Sequence, residues 1–282
     1  MKNNNYSILP RVAVWLILSG ALLFILAPIV FMCTASLMPA SEIVKMPYRW
    51  IPSGVHYPNF VKAIAGNDGS FIFIRNLINS IVVAVTVSIT TVLISSLTGY
   101  SLSKFHYPGR DFVFMLIMAT MMIPFEAIMI PLYIVVTRMG IQNTYPGLIL
   151  PFLVNAFGVF MMRQYLITFP DEFIDAARVD GMNEFEIYRS IILPNSGPAI
   201  ATLAILAFRS QWDNLLWPLL VAQTEKMKTI PLYIVKFNAE MHTDEGAMMA
   251  VALLASIPMF ILFFSLSQYF VAGAAVYSSR KG

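Results

Sequence analysis

Six apolar runs, each about long enough to cross a bilayer, leave this chain few folds to choose from. They fall at approximately 12–33, 77–97, 112–136, 145–162, 198–221 and 247–272, and the first carries no charge at all. Hydrocarbon holds no water to pair with backbone N–H and C=O groups, so such runs become helices whose bonds close internally. The predicted fold class is an all-α integral membrane protein with six transmembrane helices. Composition agrees, with 58% of the 282 residues hydrophobic and 12% charged, about half the charged share of a soluble domain. No segment between the runs is long enough for a soluble core of its own, so 1–282 is read as a single transmembrane domain.

Other function classes drop out on simple grounds. The first run is longer than a secretory signal core and its basic flank, Lys2 and Arg11, is weak, so a retained helix is expected. Cys33 is the sole cysteine, which excludes an internal disulfide and a cysteine-based metal site. His56, His106 and His242 lack metal-ligand spacing. A net charge of +3, dispersed along the chain, is too small for nucleic acid. Lysines and arginines divide almost evenly between the two sides that six spans create, so charge bias does not orient the chain.

The runs differ in character. The stretch 34–75, with Pro39, Pro47, Pro52, Pro58 and several glycines, reads as a folded cap whose Tyr48 and Trp50 suit a membrane interface. The second run holds Ser80, Thr86, Ser88, Thr90, Thr91, Ser95 and Ser96, residues that allow close helix approach in lipid. That helix is expected to face protein. The third carries Pro124 and Pro131 around Glu126, and the fourth holds Pro151 and Asn155. Prolines survive inside such helices where neighbours or cavity water satisfy the freed carbonyls. Asn76, Asn79 and Asn155 are expected to make helix contacts rather than ligand contacts.

The loop at about 168–194 is charged where its surroundings are apolar. Pro170, Asp171 and Glu172 suit a first helical turn. Ala176 and Ala177 would form a ledge onto which another surface packs closely, and Gly181 can end the helix in a left-handed conformation. Asn183 and Glu186 have capping-box spacing for a second short helix, with Phe185, Ile187 and Ile191 as its apolar contacts and Leu193-Pro194 as its stop. Asp171, Glu172, Asp175, Asp180, Glu184 and Glu186 would be repelled by anionic headgroups, so docking to a partner is the better account than resting on lipid.

The order Asp175-Ala176-Ala177, three residues, Gly181, nine residues, Ile191-x-Leu193-Pro194 resembles the coupling loop of bacterial ABC importer permeases. Further stretches are similar to the carbohydrate-type, maltose-transporter-like, six-helix permeases over nearly the whole chain. They are Gln211-Trp212-Asp213-Asn214-Leu215-Leu216-Trp217-Pro218-Leu219, Ile123-Pro124-Phe125-Glu126, Ile130-Pro131-Leu132, Phe169-Pro170-Asp171-Glu172 and Gln268-Tyr269-Phe270-Val271-Ala272-Gly273. Asp175 replaces the usual Glu, Asp213 replaces a common Asn, and the terminal Ser278-Ser279-Arg280-Lys281-Gly282 lacks the usual lead-in.

The resemblance implies a type I ABC importer permease fold in a bacterial inner membrane, with both termini cytoplasmic. It implies a second homologous permease, two ATPase subunits, an extracytoplasmic solute-binding protein and surrounding lipid as partners. This chain would be no enzyme and hold no cofactor, since ATP and Mg belong to the ATPase; no Gly-x-x-x-x-Gly-Lys-Ser/Thr stretch is present. The coupling role would fall on Asp175, Ala176, Ala177, Asp180, Gly181, Ile191, Leu193 and Pro194. The cargo would be a sugar, oligosaccharide or related polyol.

Candidates for the substrate pathway are Glu126, Arg209, Trp212, Asp213, Asn214 and Trp217. Arg209 and Asp213 lie four apart on one helical face, so they either pair with each other or line a cavity. A free Arg209 would extend the cargo to an acidic sugar or glycerol phosphate. Glu126 is either a gate contact or a buried hydrogen-bonding group. Two rivals remain. One is an ion-coupled secondary carrier using Glu126 and Asp213 as proton sites, and the other is a lipid-modifying enzyme, for which no catalytic cluster is visible.

Overall fold

Backbone breaks, more than helices, organise this molecule. The computed structural model describes residues 8–66, 69–240 and 244–279, and side chains for 12–66, 69–240 and 244–269. All regular elements among them are helical. Three helices are long and apolar enough to cross a membrane alone: Val12–Ala35, Ile72–Lys104 and Glu245–Tyr269. The count reaches six only when three sharply bent helix pairs are each taken as one span.

Those bends fall in the third and fourth of the expected spans, which carry the internal prolines noted in the sequence, and at the start of the fifth. The third run is two helices, Arg110–Thr120 and Phe125–Arg138, set at 93°. Pro124 causes this, because a residue before proline is pushed out of the helical region, and a new helix starts after it. In the fourth, Tyr145–Phe152 meets Ala156–Ile167 at 44°, and Asn155 caps the second piece by accepting from Gly158 N at 3.1 Å.

The fifth differs most. Its long helix is Gly197–Trp212, preceded at 80° by the stretch Glu184–Asn195. The expected continuation to 221 fails at Asp213, where the helix stops, and Leu216–Val221 is a separate short helix. Asn214 Oδ1 accepts from Trp217 N at 3.3 Å and so starts that new helix. The stretch ends at Asn195, one residue past Leu193-Pro194 and ahead of the fifth span. A π turn at Tyr188–Ile192 re-registers the backbone just before Pro194, whose nitrogen has no hydrogen to donate.

The chain divides into two compact units. The first comprises Met1–Phe73 with Ile234–Ser256. Its long helix Ile8–Ala35 is strongly apolar, and the most apolar stretch of its spanning part holds no buried residue, burial setting in only toward Ala35. The cap that follows is pinned by Tyr48. Its hydroxyl lies 2.9 Å from Thr34 Oγ1, and its ring contacts Phe31 and Trp50 at 4.9 and 5.3 Å. Buried Asn59 donates to Ser36 O at 2.9 Å and Met38 O at 2.7 Å, closing the turn between the first helix and Pro58–Ala65.

The second unit comprises Ile74–Tyr233 with Ile257–Gly282. Its axis is the Ile72–Lys104 helix, from residue 74 onward. One stripe of that helix is buried and includes Asn76, Asn79, Ser80, Ser88, Thr91, Ser95 and Ser96, whereas Ile78, Ile81, Val85, Ile89, Leu93 and Leu97 are exposed on the other. The helix thus faces protein on one side only. Asn79 donates to Lys226 O and Lys228 O, both at 2.8 Å, and accepts from the Tyr145 hydroxyl at 2.7 Å. Asn76, with its amide turned to donate, reaches Glu225 O and Lys228 O at 2.9 and 3.1 Å. Asn143, itself left-handed at φ 57°, accepts from Gln223 N and Thr224 N at 3.0 Å each.

Close approach at one point demands glycine. A Cβ on Gly99 would lie 2.8 Å from Met162 Cβ and 2.9 Å from Arg163 N. Gly99→Ala is therefore expected to destabilise the protein by about 1–3 kcal/mol through overpacking, although alanine is the better helix former. Thermal unfolding of detergent-purified protein checks the sign.

Candidate functional site

The elbow between Ala156–Ile167 and Gly197–Trp212 is built by local hydrogen bonding that the sequence specifies residue by residue. Its first helix, Glu172–Val179, ends in a Schellman arrangement: Gly181 N donates to Arg178 O at 3.1 Å and Met182 N to Ala177 O at 3.0 Å. Gly181 takes φ 83°, and nothing lies within 4 Å of where its Cβ would be. Asn183 then closes a reciprocal capping box. Its Oδ1 accepts from Phe185 N and Glu186 N, and Glu186 Oε2 accepts from Asn183 N at 2.8 Å.

One face of the elbow is a core. Ile174, Ala177, Ile187, Tyr188 and Ile192 are buried together with Tyr100, Met162, Leu166 and Leu203, and Ile191 and Leu193 pack against them. The other face is open. Ala176, Asp180 and Gly181 are exposed there, beside Phe173, Val179 and Phe185, the last two 87% and 65% exposed.

This splits the predicted coupling residues. Asp175, Ala176, Asp180, Gly181 and Pro194 are exposed. Ala177, Ile191 and Leu193 instead turn inward, because a helix resting on a core must bury one of two adjacent alanines. The ledge is therefore Ala176 alone, flanked by apolar knobs, and Phe185 is one of those knobs rather than the inward contact expected of it.

The acids are mostly occupied. Arg178 donates from Nε to Glu184 Oε1 at 2.8 Å and from a terminal nitrogen to Asp175 Oδ1 at 3.0 Å. Glu184 Oε2 also accepts from the Tyr100 hydroxyl at 2.7 Å. Lys104 donates to Asp171 Oδ1 at 2.6 Å and to Phe169 O at 2.5 Å. Tyr100 and Lys104 were not singled out from the sequence. Their positions four and eight residues after Ser96, on one helix face, were the available signal, since Ser96 lies 2.7 Å from the Tyr188 hydroxyl.

The pathway candidates do not form one cluster. Arg209 and Asp213 do pair, Nε to Oδ2 at 3.3 Å, with side chains 66% and 63% exposed. Asp213 sits at the end of its helix rather than within a longer span. Glu126 is exposed in the first turn of Phe125–Arg138, so it is not the buried hydrogen-bonding group considered above. Asn214 is half-buried and contacts Gln211 at 3.4 Å. Trp212 is buried, stacked on Phe208 at 5.3 Å. Trp217 is fully buried between Phe125 and Phe152, and its indole N–H donates to Gly147 O at 3.0 Å. Both tryptophans are packing residues here, not exposed to a solute.

Residues 91–274, including the whole elbow, match the family described as the binding-protein-dependent transport system inner membrane component. This chain belongs to that family. It is a multi-pass membrane permease of an ABC importer, not an enzyme. It is 33% identical to the arabinooligosaccharides transport system permease protein AraQ of Halalkalibacterium halodurans, covering 88% of this chain and 89% of that one. It is also 33% identical to the sn-glycerol-3-phosphate transport system permease protein UgpE of Brucella abortus, over 92% and 93% of the two chains. The lactose transport system permease protein LacG of Rhizobium radiobacter is 31% identical over 94% and 95%. A chain from the crystal structure of a bacterial ABC transporter involved in import of the acidic polysaccharide alginate superposes with a TM-score of 0.80. It is 22% identical, over 96% of this chain and 99% of that one. That likeness shows the type I permease fold.

The elbow carries a defined acid sensitivity. The hydrogen bond from Arg178 holds the Glu184 carboxyl below its ordinary value, with burial opposing and the Tyr100 hydroxyl assisting. The same bond raises Arg178. A depressed carboxyl contributes stability that is complete above its ordinary pKa and is lost as pH falls through the lowered one; the raised arginine contributes throughout that range. Amide-exchange protection over 172–187 is expected to hold from neutral pH down to the ordinary carboxylate range, and to fall only below about pH 4. In Glu184→Gln that acid limb should vanish.

Proposed function

We propose that this permease is one of two membrane halves of an importer for a sugar, oligosaccharide or related polyol, driven by ATP hydrolysis in separate subunits. A second homologous permease completes the pathway. Two ATPase subunits hold ATP and Mg beneath them, and an extracytoplasmic solute-binding protein delivers the cargo. Both termini and the elbow lie on the cytoplasmic side.

The observation that carries the reading is the exposed face of the elbow. Ala176 offers almost no side chain, and Phe173, Val179 and Phe185 stand out around it on a rigid, capped and core-backed frame. Exposed apolar anchors around a small-residue ledge suit insertion into a cleft of a partner protein, and the acids beside them disfavour an anionic lipid surface. ATP-driven closure of the partner would then move the elbow as a body. Asp175, Ala176, Asp180 and Gly181 contribute this surface, with Pro194 at its margin.

The cargo class is supported by relatives named for arabinooligosaccharides, lactose and glycerol phosphate. Within this chain, Glu126, Arg209 and Asp213 keep exposed ionisable heads that can face a pathway, with Asn214 beside them. Arg209 favours a second reading, an acidic sugar or glycerol phosphate, because a guanidinium matches carboxylate and phosphate oxygens in paired fashion.

Gly181→Trp tests the docking surface. Its left-handed backbone resists a side chain, and the bulk would project outward into the partner. Expected are normal membrane insertion, loss of uptake and loss of ATPase co-purification, with Gly181→Asn, tolerant of that backbone, milder. Undiminished uptake and ATPase association in Gly181→Trp would rule the surface out. The cargo is tested by titrating the cognate solute-binding protein with arabinotriose, lactose, sn-glycerol 3-phosphate and alginate oligomers, alongside amino acids. Binding should be confined to the sugars or the polyol phosphate, and an amino-acid ligand would overturn the assignment.

A further inference from the structure

Three side chains spaced four apart on the Ile72–Lys104 helix each grip a different part of the elbow. Ser96 meets the Tyr188 hydroxyl at 2.7 Å, Tyr100 donates to Glu184 at 2.7 Å, and Lys104 donates to Asp171 and to the Phe169 carbonyl at 2.6 and 2.5 Å. Residues at this spacing form a straight row on one helix face. The row therefore holds the elbow's entry, its second helix and its π turn at once. Tyr100 is buried and the Lys104 side chain is only 5% exposed, so packing fixes both donors even though the Asp171 carboxylate that Lys104 reaches is 72% exposed.

The covalent exit from the elbow is a poor lever by comparison. It passes through a π turn and an 80° bend before Gly197–Trp212 begins. The Ile72–Lys104 helix, in contrast, has no internal proline and runs 33 residues without a break, a length of about 50 Å. Its other end is also tied. Asn79 holds the Lys226 and Lys228 carbonyls at 2.8 Å each, Asn76 holds those of Glu225 and Lys228, and Ser80 Oγ accepts from Ile230 N at 2.8 Å. One unbroken rod is thus hydrogen-bonded to the elbow at one end and to the 225–230 segment at the other, with a membrane's thickness between.

We infer that this helix is the lever that couples the elbow to the 225–230 segment on the opposite face, with Tyr100 and Lys104 as positioning residues at the driven end and Asn79 at the delivering end. The inference rests on the coupling role proposed for the elbow. Coupling between sites is a free-energy difference shared by an element with two placements. A rod bonded at both ends is such an element, because neither end can shift without breaking bonds or moving the other.

The test uses the assembled transporter in lipid vesicles. Cys33→Ser removes the native thiol, and Lys226→Cys, whose side chain is exposed, carries an environment-sensitive fluorophore on the far segment. The probes added are MgATP and orthovanadate. With the lever intact, vanadate trapping should change the fluorescence. In Tyr100→Phe with Lys104→Gln, and separately in Asn79→Ala, that change should fall about fivefold or more, the low end of allosteric coupling energies. ATPase association and ATP hydrolysis should persist, and the conservative Lys104→Arg, with Tyr100 kept, should retain the signal.

Three results would overturn the lever: no trapping signal in the unmutated assembly, an undiminished signal in both variants, or release of the ATPase by Tyr100→Phe with Lys104→Gln. The last would make those bonds part of the elbow's own fold. Failure of the underlying coupling role reads differently, since the unmutated chain would then retain no ATPase at all.

Discussion

Backbone hydrogen bonding in an apolar solvent is the constraint from which this structure follows. A broken helix exposes N–H and C=O groups that lipid cannot satisfy, so each break needs a side chain able to replace the lost bonds. Asparagine does this repeatedly here. Asn155 starts one half-helix, and Asn214 accepts from the first turn of the short helix after the fifth long one. Asn143 accepts from the backbone at 223–224, and Asn79 donates to the backbone at 226 and 228. An amide both donates and accepts without carrying charge, so it can be buried where an aspartate or lysine would be costly.

The elbow shows how a charged segment can be rigid beside a membrane. Its apolar side is a true core, and its acids are largely tied to Arg178, Lys104 or the capping box, leaving the exposed face to alanine, glycine and protruding apolar residues. Individual exposed ion pairs are worth little. Their collective effect here is geometric, because Arg178 spans both short helices through Asp175 and Glu184 and fixes the angle between them. Membership in a family of binding-protein-dependent permeases is the setting for the docking role proposed for that face, and the proposed lever extends it across the membrane.

Much of the local architecture was legible in the chain. The capping pair Asn183 and Glu186 and the left-handed Gly181 follow from spacing, and four-residue spacing made an Arg209–Asp213 pair one of two open readings, because each depends on residues within four positions of one another. The pathway was less legible. Trp212 and Trp217 sit in a polar-looking stretch, yet the burial of Trp212 depends on Ala84 and that of Trp217 on Phe125 and Phe152, residues far off in the sequence whose placement no local pattern reveals. Tyr100 and Lys104 were hidden for the same reason, since their partners lie more than sixty residues away.

By itself the sequence determined that the chain is helical and membrane-bound, that several of its spans carry prolines, and that one loop is charged where its surroundings are apolar. Those properties are set by solvent and by short-range bonding, which act on neighbouring residues. Only the tertiary structure decided how sharply the helices bend, which of two adjacent alanines faces outward, which tryptophans are packing residues, and that a single unbroken helix is bonded at both ends. Such outcomes depend on which distant side chains compete for the same space and the same hydrogen bonds, and that competition is resolved only when the helices meet.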